Sequence, residues 1–208
     1  EYVFNRSRKF GEEFVNSILS YIGISRKGLR ESDLENLITE YEKQKWNNLN
    51  FASFRRYFRN HIVQKGELGL WDFRHVKARE SLKRNVLKNE KDLHRNLSQH
   101  LDKLKEEDPL RLSEVIWHLF KCDDKKRVAE VYGSRDTEES LTEQYSITLS
   151  DVLIEKETNV EWVCSIISLP NTTNLVKHNI IRNVHYRLNE RIKNLIQLNT
   201  RLKILNQI

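Results

Sequence analysis

The sequence predicts a mainly α-helical protein, in which a winged-helix domain with a small β-hairpin precedes an α-helical bundle or helical-repeat-like domain. Apolar residues recur three and four positions apart along most of the chain, which is typical of amphipathic helices. The 208 residues include only two prolines and six glycines, which leaves few turns for a β-sandwich. Gly66 and Gly69 stand between two short apolar segments and predict a hairpin. The predicted domains are a winged helix over 1–90, a helical linker over 91–135 and a helical-repeat segment over 136–208.

Three helices are predicted before the hairpin. The first covers residues 12–22, and the chain then turns at Gly28. Ser32 and Glu35 have the spacing of a capping box and predict the start of the second helix. The third covers residues 50–62. The apolar stripes of the helices hold Phe14, Ile18, Tyr21 and Ile22 in the first, Leu34, Leu37, Ile38 and Tyr41 in the second, and Phe51, Phe54, Phe58 and Ile62 in the third. The hairpin strands are predicted to hold Val63, Leu68, Leu70, Trp71 and Phe73.

Helical periodicity continues to the end of the chain. Asp108 followed by Pro109 is a start signal, because proline at the first helical position loses no hydrogen bond. A further helix is predicted over 123–133, with Gly133 beyond its end. The remaining predicted helices cover 137–157, 159–169 and a pair within 172–206. Before Asp108, the apolar residues Leu82, Val86, Leu93, Leu97, Leu101 and Leu104 indicate two helices or one bent helix.

Charge is distributed unevenly along the chain. The net charge is +6, with a surplus of +7 in residues 1–100 and a balance of −1 in residues 101–208. The basic half could face nucleic acid or an acidic protein surface, and a solvated surface explains it equally well.

Cysteine usage and hydropathy bear on where the protein works. Cys122 and Cys164 form neither a metal-type cluster nor a disulfide framework, which favours a cytoplasmic protein. The sequence lacks a run of eighteen apolar residues, so no membrane span is predicted. It also begins at Glu1 and lacks methionine, so we expect a segment of a longer protein.

Motifs for catalysis or metal binding are not found in the sequence. Gly23 and Gly28 have the glycine spacing of a phosphate-binding loop, but the lysine and hydroxyl that complete that loop are missing. His94 and His100 lie six residues apart, which places them on different faces of a helix, so no metal site is predicted. We therefore expect no enzymatic activity from this stretch and no bound cofactor.

Three segments resemble the arm that follows the nucleotide-binding domain in STAND signalling NTPases, the class that includes NLR immune sensors and nephrocystin-like proteins. The first, "ILSYIGISRKGLRESDLENL", is similar to the start of the family's winged helix. The second, "FRHVKARE", is similar to a motif written H-D-x-x-R-E. The third, "RLSEVIWHLFKCDDKKRVAEV", is similar to the next helical segment, whose R-x-x-E-x-x-x-H-L pattern is carried by Arg111, Glu114, His118 and Leu119.

The resemblance implies a role for the second segment. His75 falls on the family histidine that contacts the β-phosphate of bound ADP, while Val76 replaces the usual aspartate. Arg79 and Glu80 fall on the closing pair of the motif. An imidazole at a helix start suits an anion, because backbone N–H groups and the positive end of the helix dipole lie nearby. The alternative is that His75 only caps a helix over 76–87.

The implied protein is a non-catalytic regulatory and scaffolding arm of a nucleotide-dependent switch. Its partners would be an upstream ATPase domain of the same protein, which would bind ADP or ATP, and other proteins.

The last segment, residues 178–208, resembles one tetratricopeptide-type repeat, in which Asn183, Tyr186 and Leu188 match the first helix. Arg182, Asn194 and Arg201 replace the small residues of that repeat. An ordinary helical hairpin is the alternative.

A DNA-binding module is the alternative function. In winged-helix proteins that read DNA, the third helix enters the major groove and the hairpin touches the backbone. Arg55, Arg56 and Arg59 lie on the predicted third helix and Lys65 lies in the hairpin, so these four residues are the candidate nucleic-acid contacts.

Overall fold

The computed structural model describes residues 11–85, 87, 89–133, 164–170, 174 and 177–178. The protein is mainly helical and has a small two-stranded antiparallel sheet. Its contacts divide the chain into one compact unit that ends at Cys122 and a second that begins at Asp123. The predicted domain boundaries near residues 90 and 135 stay predictions. The helices predicted over 137–157 and 159–169 and the pair within 172–206 lie mostly outside the described residues.

Three helices open the first unit, as predicted. Helix α1 covers Glu12–Ile24, α2 covers Glu31–Glu40 and α3 covers Asn48–Phe58. Asn47 caps α3, because its side-chain oxygen accepts the backbone N–H groups of Leu49 and Asn50 at 2.9 and 3.1 Å.

Two details of these helices were predicted wrongly. Ser32 and Glu35 do not form a capping box, because α2 begins at Glu31 after the N-cap residue Arg30, and the Asp33 carboxylate accepts the Arg30 N–H at 3.1 Å. Ile62 does not extend α3. The helix ends at Phe58, whose carbonyl accepts the N–H of His61 at 2.7 Å in a turn, and the chain then enters a strand.

The predicted hairpin is confirmed. Strand β1 covers Ile62–Lys65 and pairs antiparallel with β2, which covers Leu70–Phe73. Gly66 and Gly69 both have positive φ angles, of 64° and 62°, which the connecting turn requires and glycine adopts readily. Leu68 was predicted in a strand, but it lies in this turn and is 42% exposed.

The loop between α1 and α2 adds one bridge to the sheet. Leu29 and Trp71 exchange two backbone hydrogen bonds, of 3.1 and 2.8 Å. Gly28 allows this close approach. It has φ +98°, and a Cβ atom there would lie 2.5 Å from the carbonyl oxygen of Trp71.

Three further helices complete the first unit. Helix α4 covers Val76–Asn85, α5 covers Glu90–Asp102 and α6 covers Pro109–Lys121, so the periodicity between Leu82 and Leu104 belongs to two helices. The start signal at Asp108 is confirmed, because its side chain accepts the N–H of Leu110 at 2.9 Å. Helix α4 packs closely on α1, where a Cβ atom on Gly23 would lie 2.3 Å from a methyl of Leu82.

The core of the first unit contains side chains from all six of its helices and from the sheet. Burial of these apolar and aromatic side chains is the main stabilising contribution to the unit. The large side chains that are almost fully buried include Tyr21, Phe51, Phe54, Phe58, Ile18, Leu19, Ile22, Leu29, Leu34, Leu37 and Ile38, together with Leu82, Leu97, Leu101, Leu110 and Ile116.

In the second unit, helix α7 covers Lys125–Gly133 and confirms the helix predicted there, although Gly133 is its last residue and does not lie beyond it. The Asp124 side chain accepts the N–H of Arg127 at 3.0 Å near the start of the helix. Residues 164–167 are also helical, and Ile166 is buried. Within the described parts of both units, each helix is too short or too polar to cross a lipid bilayer.

Candidate functional site

His75 lies on the surface immediately before α4. Its side chain is exposed, and its backbone carbonyl accepts the N–H of Ala78 at 3.0 Å in the first turn of the helix. The neighbouring side chains of Arg74 and Lys77 are exposed, and Val76 is 73% exposed. The imidazole is therefore accessible to a group outside this chain, among cationic neighbours.

Arg79, four residues further along, points into the protein. Its guanidinium pairs with the carboxylate of Asp72 on β2 and donates to the carbonyl of Ser25 in the loop between α1 and α2. Asp72 is 8% exposed and also accepts Lys65 Nζ at 2.8 Å and the N–H of Phe73 at 2.6 Å. The segment "FRHVKARE" thus contains an exposed histidine, His75, and an arginine, Arg79, that fixes α4 to the sheet and to the loop between α1 and α2.

Glu114 on α6 holds the same loop from another direction. Its side chain is fully buried, and its carboxylate accepts the backbone N–H of Arg26 at 3.0 Å and that of Lys27 at 2.8 Å. His118 lies one helical turn further on, with Nε2 3.0 Å from Oε2 of Glu114, the same oxygen that accepts the Arg26 N–H. A buried carboxylate without hydrogen-bond donors is costly, so these contacts fix the loop to α6.

A pair of buried histidines connects the Glu114 contacts on α6 to α5. The Nδ1 atoms of His94 and His118 lie 2.7 Å apart, and each side chain is at most 3% exposed. Facing nitrogens at this distance need one donor and one acceptor. Because Nε2–H of His118 donates to Glu114, its Nδ1 accepts, and Nδ1–H of His94 is the donor; this assignment follows from the hydrogen-bond network.

We call this set of contacts the polar joint: the loop of residues 25–29, held by Arg79 from α4 and by Glu114 from α6, with the His94–His118 pair behind Glu114. The three segments that carry the family resemblance meet in it, although Glu114 lies 88 residues from Arg26. Its side chains bind one another, which makes it a structural connection between elements.

A second polar contact joins α5 and α6 to α2. Nε2 of His100 lies 2.9 Å from the carboxylate of Asp33, and Arg30 bridges Asp33 and Asp108 at 2.8 Å each. Burial alone would raise the pKa of Asp33, but the hydrogen bonds from His100 and Arg30 outweigh it and hold that pKa below its usual value. The hydrogen bond to Asp33 raises the pKa of Arg30.

The four candidate nucleic-acid contacts do not form one free cationic surface. The Arg55 guanidinium lies over the rings of Phe51 and Trp71, at 5.2 and 5.7 Å from their centroids, and 3.6 Å from the Glu31 carboxylate. Lys65 Nζ binds Asp72 and the carbonyl of Phe73.

Arg56 and Arg59 are exposed at the end of α3. Arg74 lies beside them, because its Nε donates to the carbonyl of Arg59 at 3.2 Å. The structure therefore leaves two of the four predicted cations on the surface and adds Arg74 to them.

Sequence reasoning did not identify the partners of Glu114, His94 and His100. One signal was available: Glu114 and His118 lie four residues apart within an apolar stripe, where a polar residue needs a buried partner. His94 and His100 do lie on different sides of α5, one facing α6 and the other α2. Within the described residues, three or more His, Cys, Asp or Glu side chains do not converge in the geometry of a metal site.

Comparisons with protein-family models, with curated proteins and with solved structures find no match to this chain.

Proposed function

We propose that this chain is a non-catalytic regulatory and scaffolding arm of a STAND-type, nucleotide-dependent switch. It would relay the nucleotide state of an ATPase domain in the same protein to a sensor or a protein partner. The polar joint is the observation that supports this function. Glu114, Arg79 and the loop of residues 25–29 come from the three segments that resemble the family, and Glu114 and Arg79 each bind that loop directly.

The joint suits a relay because it is directional and buried. A fully buried carboxylate that accepts two backbone N–H groups and one imidazole specifies a single relative position of α6 and the loop. A displacement applied at the start of α4 would reach the loop through Arg79 and α6 through Glu114. Because of these directional hydrogen bonds, α4, α6 and the loop would move together. Apolar packing alone would allow the elements to slide past one another.

A winged-helix arrangement of the first unit is part of the proposal. The order of three helices and a hairpin, with Leu29 bridging Trp71 as a third short strand, supports it. The surface start of α4 would then face the ATPase domain, with His75 near the β-phosphate of ADP. Protein partners would bind the C-terminal segment predicted as a repeat, which lies mostly outside the described residues.

The test uses the intact protein with its ATPase domain. We expect His75→Ala to speed the release of bound ADP and to raise basal signalling, since the exposed imidazole would lose its phosphate contact. His178→Ala, at another exposed histidine, is the matched control. Unchanged ADP retention in His75→Ala contradicts the phosphate role. A native gene without a phosphate-binding loop upstream of this segment contradicts the whole proposal.

DNA binding is the second candidate, favoured by the exposed Arg56 and Arg59 beside Arg74. We expect duplex DNA binding that weakens steeply with salt, because arginine–phosphate contacts release counterions. Replacing Arg56 and Arg59 together by alanine should reduce the affinity and the salt slope. Lys126→Ala, at a 77% exposed lysine on α7, is the control. Failure to bind a duplex at about 50 mM salt excludes this function.

A further inference from the structure

The facing Nδ1 atoms of His94 and His118 in the polar joint can share one hydrogen, but they cannot both carry a hydrogen at the same time. His94 Nδ1 and His118 Nδ1 face each other at 2.7 Å, so only one hydrogen fits in that space. With both imidazoles neutral, Nδ1–H of His94 donates to His118 and Nε2–H of His118 donates to Glu114. Nδ1 of His94 and both nitrogens of His118 then have compatible roles, and Nε2 of His94 carries no hydrogen.

A first additional proton fits without breaking the pair. It would enter at Nε2 of His94, which lies 3.5 Å from the carboxylate of Glu90. A second additional proton has to occupy Nδ1 of His118, where it meets the hydrogen on His94. Two N–H groups then face each other and two cations stand in contact, inside a site with exposures of 3% or less.

We infer that the His94–His118 pair is an acid-sensitive latch that fastens α5 to α6 and, through Glu114, holds the loop of residues 25–29. Above about pH 6.5 free imidazoles are mostly neutral, and the latch is closed. Below that pH the open state takes up two protons where the closed state accommodates one. Since the open state then binds more protons, acid favours opening and stability falls as pH falls.

The groups around the pair do not remove this restriction. Tyr21 and Glu42 contact α5 through Asn96, and the guanidinium of Arg26 lies over the ring of Trp117. The titratable and charged groups that face the latch or flank it are Glu90 from α5, Glu114 from α6, Asp33 and Arg30 at His100 from α2, Tyr21 from α1, and Arg26 from the loop.

The His100–Asp33 contact between α5 and α2 provides an internal contrast. Its imidazole faces a carboxylate at 2.9 Å, so a proton on Nε2 is the donor in the neutral and in the charged form. Protonation therefore keeps this hydrogen bond and adds charge attraction. The two histidine contacts of α5 respond to acid in opposite ways, so acid would open the α6 side of this helix and leave its α2 side attached.

The experiment measures backbone amide exchange in the full 208-residue chain by NMR at pH 7.5 and pH 5.5, after correction for intrinsic exchange rates. The amides of Arg26 and Lys27 are the probes, because Glu114 accepts both. We expect their protection to fall about tenfold between the two pH values. The open state binds one proton more than the closed state, and pH 5.5 lies about one unit below the usual imidazole pKa, so the equilibrium shifts by about one factor of ten.

Two variants separate the latch from general acid effects. His94→Asn places a carboxamide where Nδ1 stands, and the amide can donate or accept, so the tenfold loss should disappear. His100→Gln keeps a donor toward Asp33, so the loss should persist. Equal pH dependence in the wild-type protein and His94→Asn overturns the inference.

A measurement on the wild-type protein covers the case in which His94→Asn fails to fold. Long-range ¹H–¹⁵N spectra of the imidazoles should show Nδ1–H on His94 and Nε2–H on His118 at pH 7.5. A hydrogen on His118 Nδ1 should appear only together with loss of protection at Arg26 and Lys27. Full protonation of both rings with unchanged amide protection overturns the latch.

Discussion

Helices α3 and α6 both pack against the core of the first unit, but the residues on their buried faces differ in kind. The inward face of α3 is aromatic: Phe51, Phe54 and Phe58 are each at most 1% exposed, while Arg56 on the same helix is exposed. On α6, fully buried Glu114 and His118 interrupt the apolar stripe.

The difference separates two ways of placing a helix. Aromatic packing is strong but not directional, so α3 is fixed by shape while its charged surface is open to change. The buried carboxylate and imidazole of α6 have specific partners, so they fix one orientation but become costly when a partner is lost. Stability in α3 should therefore depend on volume, and stability in α6 on hydrogen bonding.

The largest effect is expected at Phe54. Phe54→Ala leaves a cavity between α3 and the core and should lower the free energy of unfolding by about 4 kcal/mol. Urea denaturation followed by tryptophan fluorescence measures it, because Trp46 and Trp71 lie in this unit. Leu49→Ala, at a residue 78% exposed on the same helix, is the control and should change little. A loss below 1 kcal/mol at Phe54 would contradict the role of volume in α3.

Glu114 should show the next largest effect. Glu114→Ala leaves the N–H groups of Arg26 and Lys27 and the imidazole of His118 without their acceptor, at a cost of about 3 kcal/mol. Glu114→Gln keeps the volume and one acceptor oxygen and should cost less. The same urea titrations compare the two variants. If glutamine and alanine are equally destabilising, position 114 contributes through its charge and not through its hydrogen-bond geometry.

A smaller, pH-dependent effect is expected at Asp33. Asp33→Asn weakens the contacts with His100 and Arg30 and should cost about 2 kcal/mol at pH 7. Because the folded-state pKa of Asp33 is depressed, its contribution is present above the unfolded value of 3.8 and is lost as pH falls below it. Thermal unfolding at pH 7 and pH 3 should therefore show the two proteins converging. Asp92→Asn, at a 60% exposed carboxylate, is the control. A difference that is constant with pH would contradict the depressed pKa.

Arg56→Ala should have the smallest effect, within about 0.5 kcal/mol, because its side chain is exposed on α3. Circular dichroism during thermal unfolding measures it. A loss above 1 kcal/mol would mean that the outer face of α3 is structural, and it would remove the main contrast with α6.

The sequence predicted most of the local structure of the first unit, because local structure depends on nearby residues. Apolar spacing located the helices, Asp108 and Pro109 located the start of α6, and Gly66 and Gly69 located the hairpin turn. Ile62 was misassigned because it continues the helical spacing of Phe51, Phe54 and Phe58, while its strand conformation depends on pairing with Phe73.

The polar joint could not be predicted to the same degree. Periodicity places Glu114 on the inward face of a helix but does not identify the loop that it meets. That pairing depends on the positive φ of Gly28 and on the packing of α6, which are properties of the folded chain. The exposed position of His75 followed from its place before a helix, whereas its proposed ligand rests on the family resemblance alone.

The separation of Arg26 and Glu114 along the chain also affects how the protein is made. A ribosome that has released residues 1–90 has already supplied the hairpin and four helices, yet the acceptor for Arg26 and Lys27 has not been synthesised. Until α6 emerges from the ribosome, water must solvate those amides, and the loop lacks the contacts that fix its conformation. The amino-terminal portion of the nascent polypeptide therefore reaches its final shape only when the last helix of the unit arrives.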